Sequence, residues 1–264
     1  MITHFAKLEL NTVSIQGVKQ FYCNQLQFPV SFESMDEIHV QPSEHCTMVF
    51  KEADQPLNPI HFAFEVPFTA FDDVVNLLQG AGVTLLRWPD GRRVDEFETG
   101  KNVYFRDGDG NLLEILAHTY VQEGVLPPSG YLKILYLREV GFPVDDVMAY
   151  RELLVELFDF KLDTVLDNFT FAIGGTAHVV VVSKTRKWLP IAMTALQPAM
   201  DVTFGAPNAR VLDRISNRLE GKSIPYNKGN DRLYFKIGEY SFHLQVTAFS
   251  ENVPSLLELP NARA

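Results

Sequence analysis

The hydrophobic positions along this chain recur with two alternating periods, one helical and one of the β type. Four segments carry apolar residues three and four positions apart, the spacing that places them on one face of a helix. Each begins near a capping residue, proline or acidic pair and ends near glycine or a polar stop. The four predicted helices are SIQGVKQFYCNQLQF from Ser14, TAFDDVVNLLQGAG with Thr69 as its cap, DDVMAYRELLVELFDF from Asp145, and PNARVLDRISNRLEGK from Pro207.

Short runs rich in β-branched and aromatic residues surround each predicted helix. One such run precedes the helix and about three follow it, as in VSFES, EIHVQ and CTMVFK after the first helix and TLLRW, NVYFRD and LLEILAH after the second. The same order returns after the third and fourth helices. The sequence therefore predicts an α+β fold of four βαβββ modules.

The four modules divide into two pairs along the chain. The stretch TYVQEGVLPPSG, residues 119–130, contains two prolines and two glycines and is typical of a linker. We therefore expect a first domain over residues 1–118, a linker over 119–130, a second domain over 131–250 and a C-terminal tail over 251–264. The tail contains PSLLELP, which either docks on the body or frays.

Composition narrows the classes of partner. The 264 residues carry a formal net charge of -10 and lack a run of lysine and arginine interleaved with aromatics, which argues against binding to nucleic acid. The apolar runs are too short to cross a bilayer, and the first ten residues do not resemble a secretion signal. Cys23 and Cys46 are the only cysteines and are expected to be reduced. These features predict a soluble cytoplasmic protein.

One strand contains a carboxylate where an apolar residue is expected. Glu114 lies within LLEIL, just after the turn DGDGN. A buried carboxylate is costly unless a cation, a metal ion or hydrogen bonds meet it. Glu114 therefore either faces water or has a partner elsewhere in the chain.

The modules resemble those of the vicinal oxygen chelate superfamily, which includes glyoxalase I, bleomycin resistance proteins and extradiol ring-cleaving dioxygenases. The resemblance covers essentially the whole chain as two tandem domains. It is strongest in PIHFAFEVPFTAFDDVVNLLQGAGV, which contains His61, and in VYFRDGDGNLLEIL, which contains Glu114. The resemblance implies two glyoxalase-like half-barrel domains, each built from two modules.

The resemblance also implies a metal site. In similar proteins His61 and Glu114 would project from neighbouring strands into one cup and share a divalent ion such as iron, zinc, nickel or manganese. A second histidine would complete the facial triad of a ferrous site, and a fourth carboxylate would suit zinc or nickel. The ion would chelate two oxygens of a substrate and act as a Lewis acid.

The first module departs from this pattern. The position of the second histidine falls on Lys7, with Glu9 beyond it, and the fourth ligand position falls near Thr47 or Val49. One hypothesis is that the Lys7 ammonium reaches Glu114 and replaces the metal. The alternatives are that Lys7 extends to solvent, or that His61 and Glu114 hold a metal with outside help.

The matching positions of the second domain are occupied by a permuted set of residues. They fall on Glu139, Asp201 and His243. Such a set could bind a second metal, although a structural role for this domain is the competing interpretation.

Three functions are open: two of them differ in the role of the metal, and the third is a protein that uses the fold only as a scaffold for interactions. The first is an enzyme of the glyoxalase or dioxygenase type, a lyase, isomerase or ring-cleaving oxygenase, acting on a small oxygen-rich or aromatic molecule. Glu114 and Lys7 would be catalytic, and Glu9, Thr47 and Tyr104 would contact the substrate. The alternative is a metal-free protein that sequesters a small molecule, for which the acidic charge favours a cationic ligand. A homodimer is left open, and no membrane partner is expected.

Overall fold

Four modules of one strand, one helix and three strands follow one another, as predicted, but the strand expected at TLLRW is wrong: Leu85 forms only an isolated bridge, and the strand lies at Val94–Phe97 instead. The computed structural model describes residues 1–55 and 57–260. The strands of the first two modules are β1 (His4–Thr12), β2 (Val30–Glu33), β3 (Glu37–Ser43), β4 (Cys46–Glu52), β5 (His61–Glu65), β6 (Val94–Phe97), β7 (Gly100–Arg106) and β8 (Leu112–His118). Those that follow are β9 (Tyr136–Val144), β10 (Lys161–Leu166), β11 (Phe169–Gly174), β12 (Ala177–Ser183), β13 (Lys187–Trp188), β14 (Met193–Thr194), β15 (Met200–Ala206), β16 (Tyr226–Lys228), β17 (Arg232–Ile237) and β18 (Tyr240–Val246).

Each module places its helix directly after its first strand. The helices are α1 (Ile15–Val18), which continues as a π-helix over Lys19–Gln25, α2 (Phe71–Gly80), α3 (Val147–Phe158), α4 (Ala209–Gly221) and a short α5 (Val253–Leu256). The predicted cap of α1 is present, because the Ser14 side chain accepts a hydrogen bond from the Gly17 amide. Helix α3 is capped by Asp146, whose side chain accepts a hydrogen bond from the Ala149 amide.

The predicted cap of the second helix is wrong. Thr69 lies inside a 3-10 turn, Phe68–Ala70, and α2 begins after it without a side-chain cap. The amide and hydroxyl of Thr69 bind the Glu123 carboxylate instead. Thr69 therefore binds a residue 54 positions later in the chain instead of capping α2, and the local sequence pattern does not reveal such a contact.

Sixteen of the described strands form two eight-stranded sheets with the same design, and β13 and β14 pair in a separate two-stranded sheet. One, which we call the terminal sheet, combines the first and last modules in the order β16-β17-β18-β15-β1-β4-β3-β2. The other, the central sheet, combines the two middle modules in the order β10-β11-β12-β9-β5-β8-β7-β6. In each sheet the first strands of two modules meet as an antiparallel pair, and each first strand also runs parallel to the last strand of its own module.

This pairing differs from the one expected from the order of modules along the chain. Each sheet takes one module from either side of the 119–130 segment, so the first and second modules do not share a sheet. The domain boundaries themselves stay a prediction. The first strand of a module can form the same backbone hydrogen bonds with any antiparallel partner strand. The pattern of apolar and polar residues therefore does not specify which second module joins it in a sheet.

One hydrophobic core draws on both sheets and the helices. It includes phenylalanines from both sheets that are almost fully inaccessible, among them Phe5, Phe62, Phe142, Phe204 and Phe242. Burial of such rings is the main source of stability in a fold of this size. Successive side chains of a strand point to opposite faces, so in the middle strands of each sheet every second residue lies on the face away from this core.

A second, smaller cluster joins the linker region to the tail. Val121 and Leu126 pack there with Leu257 and Leu259, and the Gln122 amide donates to the Leu257 carbonyl at 3.0 Å. The described part of the tail therefore docks on the body. Across residues 1–55 and 57–260, no helix combines the length and the apolar character needed to cross a bilayer.

Candidate metal centre

Three strands in the middle of the central sheet carry one polar ligand residue each. His61 begins β5, Glu114 lies in β8 and Glu139 lies in β9. The register aligns Ala63 of β5 with Glu114 on one side and with Glu139 on the other. Because side chains two positions apart share a face, His61 lies on the same face as this row.

A β-bulge at Arg138 allows Glu139 to join this group. The pairing of β5 with β9 shifts between Ala63–Glu139 and Phe64–Leu137, so Arg138 has no partner in the register. Leu137 belongs to the core, whereas Glu139, two residues later, lines the cavity. Bulges re-aim side chains in this way, and here both Arg138 and Glu139 line the cavity.

The three ligand groups converge on one point. The Nε2 atom of His61 lies 3.5 Å from Oε2 of Glu114 and 3.7 Å from Oε2 of Glu139. One ligand atom from each residue lies within 4.8 Å of the other two, and all three residues are buried. The Nδ1 atom of His61 lies 3.1 Å from the Leu112 carbonyl oxygen, which can only accept, so Nδ1 carries a proton and Nε2 is the ring nitrogen that faces the two carboxylates.

Hydrogen bonds fix the orientation of Glu114. Asn102 donates from Nδ2 to Oε1 of Glu114 at 2.8 Å, and Tyr104, opposite Glu114 in the register, also bonds to it. Burial raises the pKa of Glu114 well above its usual value, and the nearby Glu139 carboxylate raises it further, against these hydrogen bonds. Burial and the two carboxylates likewise raise the pKa of Tyr104, so its hydroxyl stays protonated.

A buried ion pair supports the other side of the group. Arg138 donates from one terminal nitrogen to Glu65 at 3.1 Å and from the other to the Tyr120 hydroxyl at 2.7 Å. Glu65 also accepts from the His118 amide at 2.9 Å and contacts its ring. Among the residues that the structure describes, the Nε atom of Arg138 has no hydrogen-bond partner, and it lies 3.7 Å from Oε1 of Glu139. The guanidinium is therefore held beside Glu139 by groups outside the triad.

A cavity of about 540 Å³ lies over the three residues. Trp188 packs on His61, with ring centroids 4.9 Å apart, and a Cβ at Gly141 would lie 2.8 Å from the Trp188 ring. Only glycine leaves room for the indole there. Phe169 and Phe171 form a further wall, and Leu259 of the tail closes one end. A cavity of this size with a few converging polar groups suits a small organic ligand.

The residues present fit a divalent metal ion. One imidazole and two carboxylates are the donors that iron, manganese and zinc accept in proteins. In each glutamate, the carboxylate oxygen that does not face His61 has its own partner: Asn102 donates to Oε1 of Glu114, and Arg138 lies beside Oε1 of Glu139. Partners of this kind commonly hold metal ligands in position. Two buried carboxylates this close repel each other, and a cation between them would remove that cost.

The sequence-predicted residues divide between the two sheets. His61, Glu114 and Tyr104 line the cavity as expected, and Glu139 joins them instead of forming a separate set with Asp201 and His243. The assignment of Glu139 was wrong because the modules pair across the linker.

The expected role of Lys7 opposite Glu114 is also wrong. Lys7 lies in the terminal sheet, where its ammonium binds Glu9 at 2.6 Å, and Thr47 is its neighbour on β4. Neither Lys7, Glu9 nor Thr47 lines the cavity. Asp201 and His243 also belong to the terminal sheet, with 4.0 Å between a carboxylate oxygen and Nε2 of the histidine.

Several cavity residues were missed from the sequence. They are Asn102, Arg138, His178, Arg186 and Trp188. The alternation along β7 could have found Asn102, since it lies two residues before Tyr104. The others depend on the bulge, on pairing between modules, or on the irregular segment after β12, none of which has a periodic signal.

Comparison with known proteins agrees with this architecture. The sequence profile of the Glyoxalase/Bleomycin resistance protein/Dioxygenase superfamily matches residues 2–115. No curated protein has a significant sequence match. The crystal structure of a "putative dioxygenase" from Bacillus subtilis is similar over 98% of this chain and 90% of that chain, with 12% identity and a TM-score of 0.68. Glyoxalase I from Zea mays is similar over 98% and 96%, with 12% identity and a TM-score of 0.59.

Proposed function

Because residues 2–115 match the glyoxalase, bleomycin resistance and dioxygenase superfamily, we propose that the chain is a member of it and a metal-dependent enzyme of the dioxygenase type. Its substrate is a small oxygen-rich or aromatic molecule bound in the central-sheet cavity. The observation that carries the proposal is the convergence of three buried ligand atoms, from His61, Glu114 and Glu139, within 4.8 Å of one another.

Three protein ligands leave coordination positions for a substrate. A facial set of three residues is typical of non-haem ferrous sites, and the two carboxylates also suit manganese. When bound, such an ion would supply Lewis acidity toward two neighbouring substrate oxygens. The chain's own residues hold the ligands: Leu112 fixes the tautomer of His61, and Asn102 orients Glu114.

Two further side chains are suited to hydrogen bonds with a substrate. His178 lines the cavity beside Glu139 in the register. Burial, with help from the positive charge of Arg138, lowers the pKa of His178 well below its usual value, so the imidazole is neutral and can accept a hydrogen bond from a substrate hydroxyl. Tyr104 keeps its proton and can donate a hydrogen bond. The apolar rings of Phe169 and Trp188 keep bulk water from this end of the cavity.

The alternative of a metal-free binding protein lacks the residue that was to replace the metal. Lys7 binds Glu9 in the other sheet, and the cationic side chain beside Glu139 in the central sheet is the guanidinium of Arg138. A cytoplasmic location and a small-molecule partner remain part of the proposal. The net charge of -10 supports the exclusion of nucleic acid.

Metal content tests the proposal directly. The protein is purified without chelators or a metal-affinity tag and its metals are measured by mass spectrometry. We expect about one divalent ion per chain, as the single triad implies. Glu139→Gln and His61→Ala should lose it, and His243→Ala in the terminal sheet should keep it.

Activity then separates the reaction classes. Protein loaded anaerobically with ferrous iron is mixed with oxygen and a catechol, and oxygen uptake is recorded. Uptake that requires His61 and Glu139 supports a dioxygenase. Stoichiometric zinc or nickel without oxygen uptake would redirect the assignment to an isomerase or lyase, and absence of any bound metal would overturn it.

A further inference from the structure

The wall of the cavity carries cations that the triad does not use. The segment after β12, residues 184–199, which we call the rim segment, folds over the cavity and contributes Arg186, Lys187 and Trp188 to its lining. The guanidinium of Arg186 lies over the Phe169 ring, 4.3 Å from the centroid. Phe169 contacts Phe171 edge to face, so the platform under Arg186 is itself part of the cavity wall.

Arg186 has no acidic partner in the part of the chain that the structure describes. Its neighbour Lys184 binds Asp145 at 2.8 Å, so carboxylates are within reach of this segment. The one acidic residue of the cavity rim, Asp163, accepts from the Thr164 amide of its own turn. Burial lowers the pKa of Arg186 below its usual value, as expected for a cation without a counter-charge.

The other charges near the cavity balance without Arg186: Lys187 and Asp163, which both line it, are opposite in sign and offset each other. The charge of Arg138 is compensated by Glu65, which it binds at 3.1 Å. A divalent ion would neutralise the carboxylates of Glu114 and Glu139. Arg186 therefore leaves a local excess of positive charge in a protein whose net charge is -10. An unpaired arginine fork on an aromatic platform is a geometry that recognises carboxylates.

We propose that the ligand of this cavity is an aromatic acid whose carboxylate binds Arg186 while its oxygen-bearing ring faces His61, Glu114 and Glu139. This inference rests on the proposed function for the position of the ring. It reverses the expectation that an acidic protein prefers a cationic ligand. The indole of Trp188, which packs on His61 and whose Nε1 has no hydrogen-bond partner, would lie between the two ends of the ligand.

Two probes that differ at one ring substituent, which is ionised in one and neutral in the other, test the proposal. They are 3,4-dihydroxybenzoate and 4-methylcatechol, in which a methyl group replaces the carboxylate. Their equilibrium binding is measured by calorimetry with metal-free protein and with protein loaded with manganese. We expect the carboxylate probe to bind at least about tenfold more tightly, with a preference that weakens as salt is added.

Substitutions assign the preference to the guanidinium. Arg186→Gln should remove the preference, and Arg186→Lys should keep part of it. Arg92→Gln is the matched control, because Arg92 also lies over an aromatic ring, that of Trp88, but is paired with Asp95 outside the cavity. Arg92→Gln should leave the ratio of affinities unchanged.

The outcomes separate the two proposals. Equal affinities of the probes, failure of the carboxylate probe to bind, or an unchanged ratio in Arg186→Gln would overturn the role of Arg186. If the carboxylate probe binds more tightly and Arg186→Gln removes that preference, but the protein takes up no metal and consumes no oxygen, the role of Arg186 is supported. That result would count only against the enzymatic proposal.

Discussion

The central and terminal sheets have the same strand order and the same register, yet they present different side chains at matching positions. Both contain a bulge in one first strand, at Arg138 in β9 and at Ala6 in β1. After the bulge, Glu139 pairs with Ala63 in the central sheet, and Lys7 pairs with Thr203 in the terminal sheet. Lys7 therefore occupies the position of Glu139.

The remaining positions correspond in the same way. In the central sheet, Glu114 pairs with Ala63, and in the terminal sheet His243 pairs with Thr203, so His243 occupies the position of Glu114. His61 lies two residues before Ala63 and Asp201 lies two residues before Thr203, so Asp201 occupies the position of His61. The histidine, glutamate and glutamate of the central sheet thus become aspartate, histidine and lysine in the terminal sheet. An ammonium cannot ligate a metal at neutral pH, so one substitution is enough to remove the site.

Accessibility differs as strongly as charge. The side chains of His61 and Glu114 are 5% and 4% exposed, whereas those of His243 and Asp201 are 37% and 44% exposed. In the central sheet, Trp188 from the segment of residues 184–199 packs on His61 and lines the cavity. The same backbone design therefore carries a buried ligand set in one sheet and a more exposed set in the other.

Placing a lysine at position 139 of the central sheet, as Lys7 stands in the terminal sheet, should have the largest effect on metal affinity. Glu139→Lys replaces a carboxylate ligand by a cation and should lower metal affinity by more than about 100-fold, since loss of an outer partner alone costs about 10- to 100-fold. Competition with a chromophoric chelator measures the affinity. Glu139→Gln, which adds no charge, controls for misfolding and should also release the metal; retention of stoichiometric metal by both would contradict the site.

Loss of the partner of Glu114 should have an intermediate effect. Asn102→Ala removes the donor that lies 2.8 Å from Oε1 of Glu114, and we expect metal affinity to fall by about 10- to 100-fold. Asn227→Ala, on the exposed edge of the terminal sheet, is the control and should change nothing. An unchanged affinity in Asn102→Ala would show that the carboxylate needs no positioning.

The pH dependence of the metal-free protein should reveal the burial of Glu114. Because its pKa is raised in the folded state, the folded protein holds a proton that the unfolded chain has released. Stability should therefore fall as pH rises above about 4.5, by at most about 1.4 kcal/mol per pH unit, until the raised pKa is passed. Denaturant unfolding of wild type and Glu114→Gln compares the slopes, and identical slopes would refute the shift.

Restoring a carboxylate in the terminal sheet should have the smallest effect. Lys7→Glu places an acid beside Asp201 and His243, at the position of Glu139. We expect about one additional, weaker equivalent of metal, because solvent competes at these exposed side chains. Calorimetric titration with zinc measures it, and Lys7→Gln is the control. A second site as tight as the first would show that burial is unimportant.

The sequence predicts the fold of each module and half of the candidate site. His61 and Glu114 could be paired because both belong to one module, whose first and last strands are neighbours. Glu139 could be recognised as a ligand type, but its partners depend on which modules share a sheet. Strict alternation also fails at the bulge, where Leu137 and Glu139 lie on opposite sides despite equal parity. Arg186 and Trp188 lie in an irregular segment, where position follows from tertiary packing alone.

The union of the first and last modules in one sheet imposes an order on folding. Thr3 bonds to Gly205, 202 positions later in the chain, so β1 waits for its antiparallel partner β15 until the fourth module has been synthesised. The middle modules can assemble first and bring the two ends together, which lowers the entropic cost of that distant closure. Until then the newly made β1 presents an open edge, and chaperones that shield such edges should act on this stage of biosynthesis.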